Sequence, residues 1–172
     1  MSGHVIISHG LSSGPDATKA TALAQACDLL GWRCERPDYR DLDESMPPLG
    51  DVEARIERLY DLVKAVDGPV VLAGSSMGSF ISARVSLRIP VRGLFLMAPP
   101  ISLQGYAMRL ETAAVPLSIV HGWHDELIPA DDVLGWAKLH NARICMVNDD
   151  HRLASHVDYC AQQFALFLGS LS

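Results

Sequence analysis

Gly74-Ser75-Ser76-Met77-Gly78 sets a serine between two glycines, after the apolar run Val70–Ala73 and before a stretch whose Phe80, Ile81, Val85 and Leu87 suit a helix. A serine hydroxyl is a weak nucleophile at neutral pH and needs a neighbouring base plus an exposed, strained position. G-x-S-x-G between a strand and a helix supplies that position, because small residues on both sides permit a sharp turn that lifts the oxygen above the sheet edge. Ser76 is therefore the candidate nucleophile. Ser75 is the nearest rival, but at the x position it points elsewhere. A plain packing turn of small residues would carry the same letters, so the weight rests on the flanking strand and helix.

The same turn puts the Met77 N–H at a helix N-terminus, where unpaired amides and the helix dipole favour negative charge. A tetrahedral intermediate needs two such donors. The second is assigned to the Leu11 N–H, in the loop His9-Gly10-Leu11-Ser12-Ser13-Gly14. That loop could equally be an ordinary Gly-rich turn, and it departs from the G-x-G-x-x-G and G-x-x-x-x-G-K-[ST] phosphate cradles. The orienting acid and the base should follow in that order. Asp125, within His121-Gly122-Trp123-His124-Asp125-Glu126-Leu127-Ile128-Pro129, is the candidate acid, with Glu126 as rival and helix capping as the plainer role. His151, within Asp149-Asp150-His151-Arg152-Leu153, is the candidate base, with His156 as the alternative. His121 and His124 invite a metal, but no carboxylate or thiol at ligand spacing completes a site. No metal and no cofactor are expected.

These residues need elements to position them. Short runs rich in Val, Ile and Leu recur at His4–Ser8, Trp32–Pro37, Pro69–Ala73, Val91–Met97, Val115–Val120 and Ala142–Val147. Most lack period-2 alternation, which is how strands buried on both faces of a parallel sheet read. Helices are predicted over Asp16–Leu30, Asp51–Val66, Met77–Ile89, Ala130–His140 and His156–Leu168, with a shorter one over Ser102–Thr112. Gly31, Gly68-Pro69 and Pro90 punctuate three helix ends. In Asp51–Val66, the apolar Val52, Ile56, Leu59, Leu62, Val63 and Val66 form one face, and Glu53, Arg55, Glu57 and Arg58 are expected in water. Alternating strands and helices mean an α/β domain with right-handed crossovers and helices on both faces. In such a sheet, the loops leaving the strands' C-terminal ends share one edge, and all the candidates above lie on them.

The 172 residues suit a single domain, 1–172, and 49% hydrophobic with 20% charged residues is an ordinary globular balance. A formal charge of −6 argues against nucleic acid or an anionic membrane as main partner. No apolar run approaches the ~20 residues needed to span a bilayer. Met1-Ser2-Gly3-His4 is not a basic leader, and Val5-Ile6-Ile7 is too short for a signal core. Cys27, Cys34, Cys145 and Cys160 form no C-x-x-C pair. They read as reduced, mostly buried thiols of a cytoplasmic protein. Oligomeric state is not legible.

Together the residues resemble the α/β-hydrolase fold superfamily from His4 to Leu168. The resemblance lies in the His-Gly loop, Gly-Ser-Ser-Met-Gly at the elbow, the Gly-x-x-Asp-x-x-Ile-Pro-like stretch Gly122–Pro129, and Asp-His-Arg-Leu after the last strand. It implies a Ser76–His151–Asp125 triad with an oxyanion hole from Leu11 and Met77. Two departures stand out. The chain starts at the strand before the His-Gly loop, which implies a minimal six-stranded parallel sheet in the order 2-1-3-4-5-6. Only the short segment between Ala98 and Val115 is available for a cap, so a compact, lidless esterase-like serine hydrolase is expected.

The implied reaction is attack of Ser76 on an acyl carbonyl of a small molecule, with an acyl-enzyme intermediate. An open, shallow pocket is expected, with Pro99, Ile101, Tyr106 and Ile128 beside Leu11 and Met77 in its apolar wall and Met46-Pro47-Pro48 as a rim. Each of these apolar residues would serve equally as core. Thioesterase, peptidase or lyase chemistry on the same three residues, or a non-catalytic hydrolase-like binding module, are the competing readings.

Overall fold

The computed structural model describes residues 3–171. Met1 and Ser2, part of the stretch read above as lacking a leader's basic region, lie outside the described residues, as does Ser172. The strands are β1 (His4–Ser8), β2 (Arg33–Glu35), β3 (Val70–Ser75), β4 (Gly93–Met97), β5 (Leu117–Gly122) and β6 (Arg143–Val147). The helices are α1 (Thr18–Leu30), α2 (Arg40–Asp43), α3 (Val52–Ala65), α4 (Met77–Ser86), α5 (Ala130–Leu139) and α6 (Val157–Ser170). All strand pairs are parallel, in the order β2-β1-β3-β4-β5-β6, as the sequence predicts.

Strand side chains alternate between two cores because successive Cβ atoms point to opposite faces. Ile6, Val70, Leu72, Leu94, Leu96 and Ile119 pack with α3, α4 and α5. Val5, Ile7, Val71, Ala73, Phe95, Met97 and Val120 pack with α1 and α6. With both faces covered, polar alternation is absent and the strands read as unbroken apolar runs. Helix α4 is enclosed nearly all round, and its buried Ser79 hydroxyl reaches the carbonyls of Gly74 (2.7 Å) and Met97 (2.9 Å). Cys27 and Cys160 are buried, Cys34 and Cys145 half-buried, and all four are free.

Three local expectations need correction. Residues 102–112 form no helix. Gly105 turns at φ 81°, Tyr106 N–H bonds the Leu103 carbonyl, and Ser102 bridges Arg109 antiparallel, which folds the segment back on itself. The Tyr39–Pro48 loop contains the short helix α2. The third correction is Arg55. It falls three residues after Val52 and four before Leu59, inside the stripe that α3 buries, and it is fully buried rather than solvated.

Candidate active site

Ser76 sits at the junction of β3 and α4 with φ 52° and ψ −117°, a conformation L-residues rarely adopt. It persists because its surroundings are tight. Ser76 N–H bonds the Met97 carbonyl at 2.9 Å, and a Cβ on Gly74 would meet the Gly78 backbone at 2.3 Å. The two glycines of the pentapeptide are thus demanded by backbone contact, and the turn between them presents Ser76 at the C-terminal sheet edge.

His151, on the loop after β6, reaches this serine. Its Nε2 lies 3.0 Å from Ser76 Oγ, and its Nδ1 lies 2.8 Å from Asp125 Oδ2. Since the carboxylate only accepts, Nδ1 carries the proton toward Asp125 and leaves Nε2 free to face the hydroxyl. Asp125 follows β5 and is held by its other oxygen, which accepts from the amides of Leu127 (2.9 Å) and Ile128 (2.8 Å). Burial by itself would raise the Asp125 pKa. The His151 hydrogen bond, then the Ile128 and Leu127 amides and the His151 charge, outweigh it and hold the carboxyl below the ordinary value. An ionised acid, an oriented imidazole and a strained hydroxyl in one line can move a proton from oxygen to nitrogen as that oxygen attacks an electrophile.

His121, at the end of β5, stands behind Asp125. Its Nε2–H donates to the Ile128 carbonyl at 3.0 Å and lies 3.5 Å from Asp125 Oδ2. Its Nδ1 is buried without a partner, and burial lowers its pKa, so the ring is neutral at pH 7. His124 turns away to Asn148 at 2.9 Å. Among the described residues no cluster of His, Cys, Asp and Glu has the form of a metal site. The two rivals take other places. His156 pairs with Asp149 at 2.8 Å, and Glu126 accepts from the His151 amide at 3.2 Å.

Leu11 lines the cavity beside Ser76, whereas the Met77 side chain, expected in its apolar wall, packs in the core and only its backbone adjoins Ser76. Met77 opens α4, so its amide has no intrahelical acceptor. The Gly10–Leu11 peptide lies against the elbow, where a Cβ on Gly10 would meet Ser76 Cβ at 3.5 Å. The loop is anchored from behind. His9, buried, accepts from the Tyr39 amide through Nε2 at 2.9 Å and donates from Nδ1 to the Gly10 carbonyl at 2.7 Å. Burial lowers its pKa despite that carbonyl, so it too is neutral. Arg55 grips Asp43 with two donors (2.6 and 2.7 Å) and extends two more to the carbonyls of His9 (3.0 Å) and Gly10 (3.2 Å). The Tyr39 ring lies under its guanidinium at 4.6 Å. Sequence reasoning missed Arg55 and Asp43. The one available signal was the cation's register inside an apolar stripe.

A cavity of about 760 Å³ opens beside Ser76, between Leu11, Ala20, Leu127, His151, Arg152 and Val157. It lies on the α1 side of the serine, and Pro99, Ile101, Tyr106 and Ile128 do not line it. Ile128 belongs to the core and Ile101 packs against it, fixed by a bond from the Leu110 amide to the Ile101 carbonyl at 2.9 Å. Pro99 is buried. Tyr106 packs edge-on to Phe80 at 5.8 Å and joins Met46, Pro47 and Pro48 in a separate cleft of about 270 Å³. The expected rim therefore exists, but around a different hollow.

Comparison with known proteins bears on the fold and the family. No curated protein matches the chain. A protein of Xanthomonas campestris pv. campestris, placed in the alpha/beta superfamily of hydrolases, is 53% identical over 98% of this chain and 99% of its own, with a TM-score of 0.95. An alpha-beta serine hydrolase homologue from Coxiella burnetii is 26% identical over 100% of this chain and 86% of its own, with a TM-score of 0.79. The mouse alpha/beta hydrolase domain-containing protein 10 shares the fold (18% identity, 98% and 90% covered, TM-score 0.77). The profile of the Alpha/beta hydrolase family matches residues 5–168, and the chain belongs to that family.

Proposed function

We propose that this protein is a carboxylesterase-like serine hydrolase that cleaves an ester, or a related acyl bond, through a Ser76–His151–Asp125 triad. The observation that carries this reading is the continuous hydrogen-bonded line from Ser76 Oγ through His151 to Asp125, at 3.0 and 2.8 Å. His151 Nε2 takes the Ser76 proton as Oγ bonds the acyl carbon. Asp125 stabilises the imidazolium that forms. The developing oxyanion is received by the Leu11 and Met77 amides. His151 then returns its proton to the leaving alcohol, and an acyl-enzyme remains. Water, deprotonated by the same imidazole, attacks that ester and releases the acid and free Ser76.

The substrate on this reading is a small molecule. The cavity beside Ser76 lies within the range of about 300–1,000 Å³ that drug-sized ligands occupy. It offers more room than the open, shallow pocket expected from a missing cap, because α1 and the loop before it wall one side. A fluorophosphonate probe tests the reading directly. Folded wild-type protein should be labelled at Ser76, and Ser76→Ala should remain folded and unlabelled. Turnover of p-nitrophenyl esters beside acyl-CoA substrates separates esterase from thioesterase chemistry. An unlabelled wild type would make the fold a binding module.

A further inference from the structure

We propose that Arg55 is a positioning residue that aims the Leu11 amide at the reacting centre; this rests on the serine-hydrolase reading above. The Leu11 N–H and the Gly10 carbonyl belong to one peptide plane, and in a trans peptide they point in opposite directions. Whatever holds the carbonyl therefore orients the amide. Gly10 O receives two donors, His9 Nδ1 at 2.7 Å and Arg55 Nη2 at 3.2 Å. Arg55 is not among the residues that line the cavity beside Leu11 and Ser76, whereas His9 is. Arg55 also takes the preceding carbonyl, His9 O, at 3.0 Å, so two successive peptides are fixed by one planar guanidinium.

Arg55 is 0% exposed, and burying an unpaired guanidinium is strongly unfavourable. Asp43, at 8% side-chain exposure, neutralises it through a two-point contact that also fixes the rotation of the fork. Two of the three remaining N–H donors then reach the loop carbonyls. A lysine could pair with Asp43, but a single ammonium on a flexible stem cannot span Asp43 and both carbonyls in one plane. A cation at the carbonyl end also polarises the Gly10–Leu11 amide, which makes its N–H a stronger donor to an oxyanion.

The test uses Arg55→Lys, Arg55→Met and Asp43→Asn, with Arg88→Met as control, since Arg88 makes only an exposed pair with Glu57 and a contact over Tyr60. For each folded variant, kcat per titrated active site, KM and inhibition by a trifluoromethyl ketone are measured on a p-nitrophenyl ester. Removing one oxyanion donor costs about 10²–10³ in kcat, and a misaimed Leu11 amide should cost a comparable share. The expected result is a kcat loss in that direction for Arg55→Lys, matched by weaker ketone inhibition. KM and the pH profile should be little changed, because His151 and Asp125 are untouched. If Arg55→Met fails to fold, Asp43→Asn, which keeps the shape and loosens the grip, should show the smaller version of the same split. Wild type that is labelled and active, beside an Arg55→Lys that keeps full kcat per titrated site, overturns this proposal alone. Loss confined to the titratable fraction also overturns it, since that marks folding only. Wild type that the fluorophosphonate does not label overturns both readings together.

Discussion

Gly78 presses against the carbonyl of Ser8 so closely that a Cβ there would lie 2.0 Å from the oxygen. This contact joins the start of α4 to the end of β1, and so brings the Met77 amide and the His9-Gly10-Leu11 loop to one place. The neighbour is backbone and cannot swing aside. Gly78→Ala should therefore lose about 3 kcal/mol or more of stability, beyond ordinary overpacking. Gly135, in α5, has open space around its Cα, so Gly135→Ala should gain about 0.5–1 kcal/mol. Urea unfolding of the two variants measures both, and equal effects would refute the contact argument.

Ser76 stores strain that a glycine would release. At φ 52° a side chain of any kind is unfavourable, at a typical cost of about 1–3 kcal/mol. Ser76→Gly should therefore be more stable than Ser76→Ala by about 1 kcal/mol or more, while neither variant reacts with a fluorophosphonate. Thermal unfolding of the pair decides the point. Equal stability would mean the turn is relaxed.

Much of the fold was legible because a parallel sheet covered on both faces leaves a plain mark, the unbroken apolar run. Ser76, Asp125 and His151 were legible because each follows such a run in a fixed order. What escaped notice depends on tertiary context. Arg55 is charged, and only its pairing with Asp43 from another element makes burial tolerable. The segment 102–112 has helix-compatible letters, yet Gly105 and the bridge from Ser102 to Arg109 close it into a turn. Pro99, Ile101 and Ile128 are apolar whether they face substrate or core, so letters alone could not choose. The β2 strand spans three residues, Arg33–Glu35, against the run Trp32–Pro37 in the sequence, and all three pair with β1.

His9 and His121 should make stability depend on pH below neutrality. Both pKa values are lowered, chiefly by burial, so the unfolded chain takes up protons first as pH falls. Stability is then independent of both rings well above the unfolded value of about 6.5 and declines below it, by at most about 1.4 kcal/mol per pH unit for each ring. The depressed carboxyls of Asp125 and Asp149 act in a lower window. Their contribution is complete above the ordinary aspartate range and is lost as pH falls through their folded values. Urea midpoints at pH 7.5 and 5.5 should differ less in His121→Gln than in wild type. An identical drop in both would assign the slope elsewhere.

The position of the cavity predicts which side chains select the substrate. Ala154 lines the space beside Ser76, whereas Tyr106 lies in the other cleft and bonds Glu53. A bulky Ala154→Trp should therefore shorten the acyl or alcohol group that fits, raising KM for a hexanoate p-nitrophenyl ester while sparing the acetate. One methylene in an apolar pocket is worth about 1–3 kcal/mol, so a filled cavity should discriminate the two esters by about tenfold or more. Tyr106→Phe should leave that ratio as in wild type, because the ring still packs on Phe80 and only the Glu53 contact is lost. A chain-length series on the three proteins distinguishes the two hollows. A shift in the Tyr106 variant without one in the Ala154 variant would place the substrate in the cleft behind Met46 and Pro48.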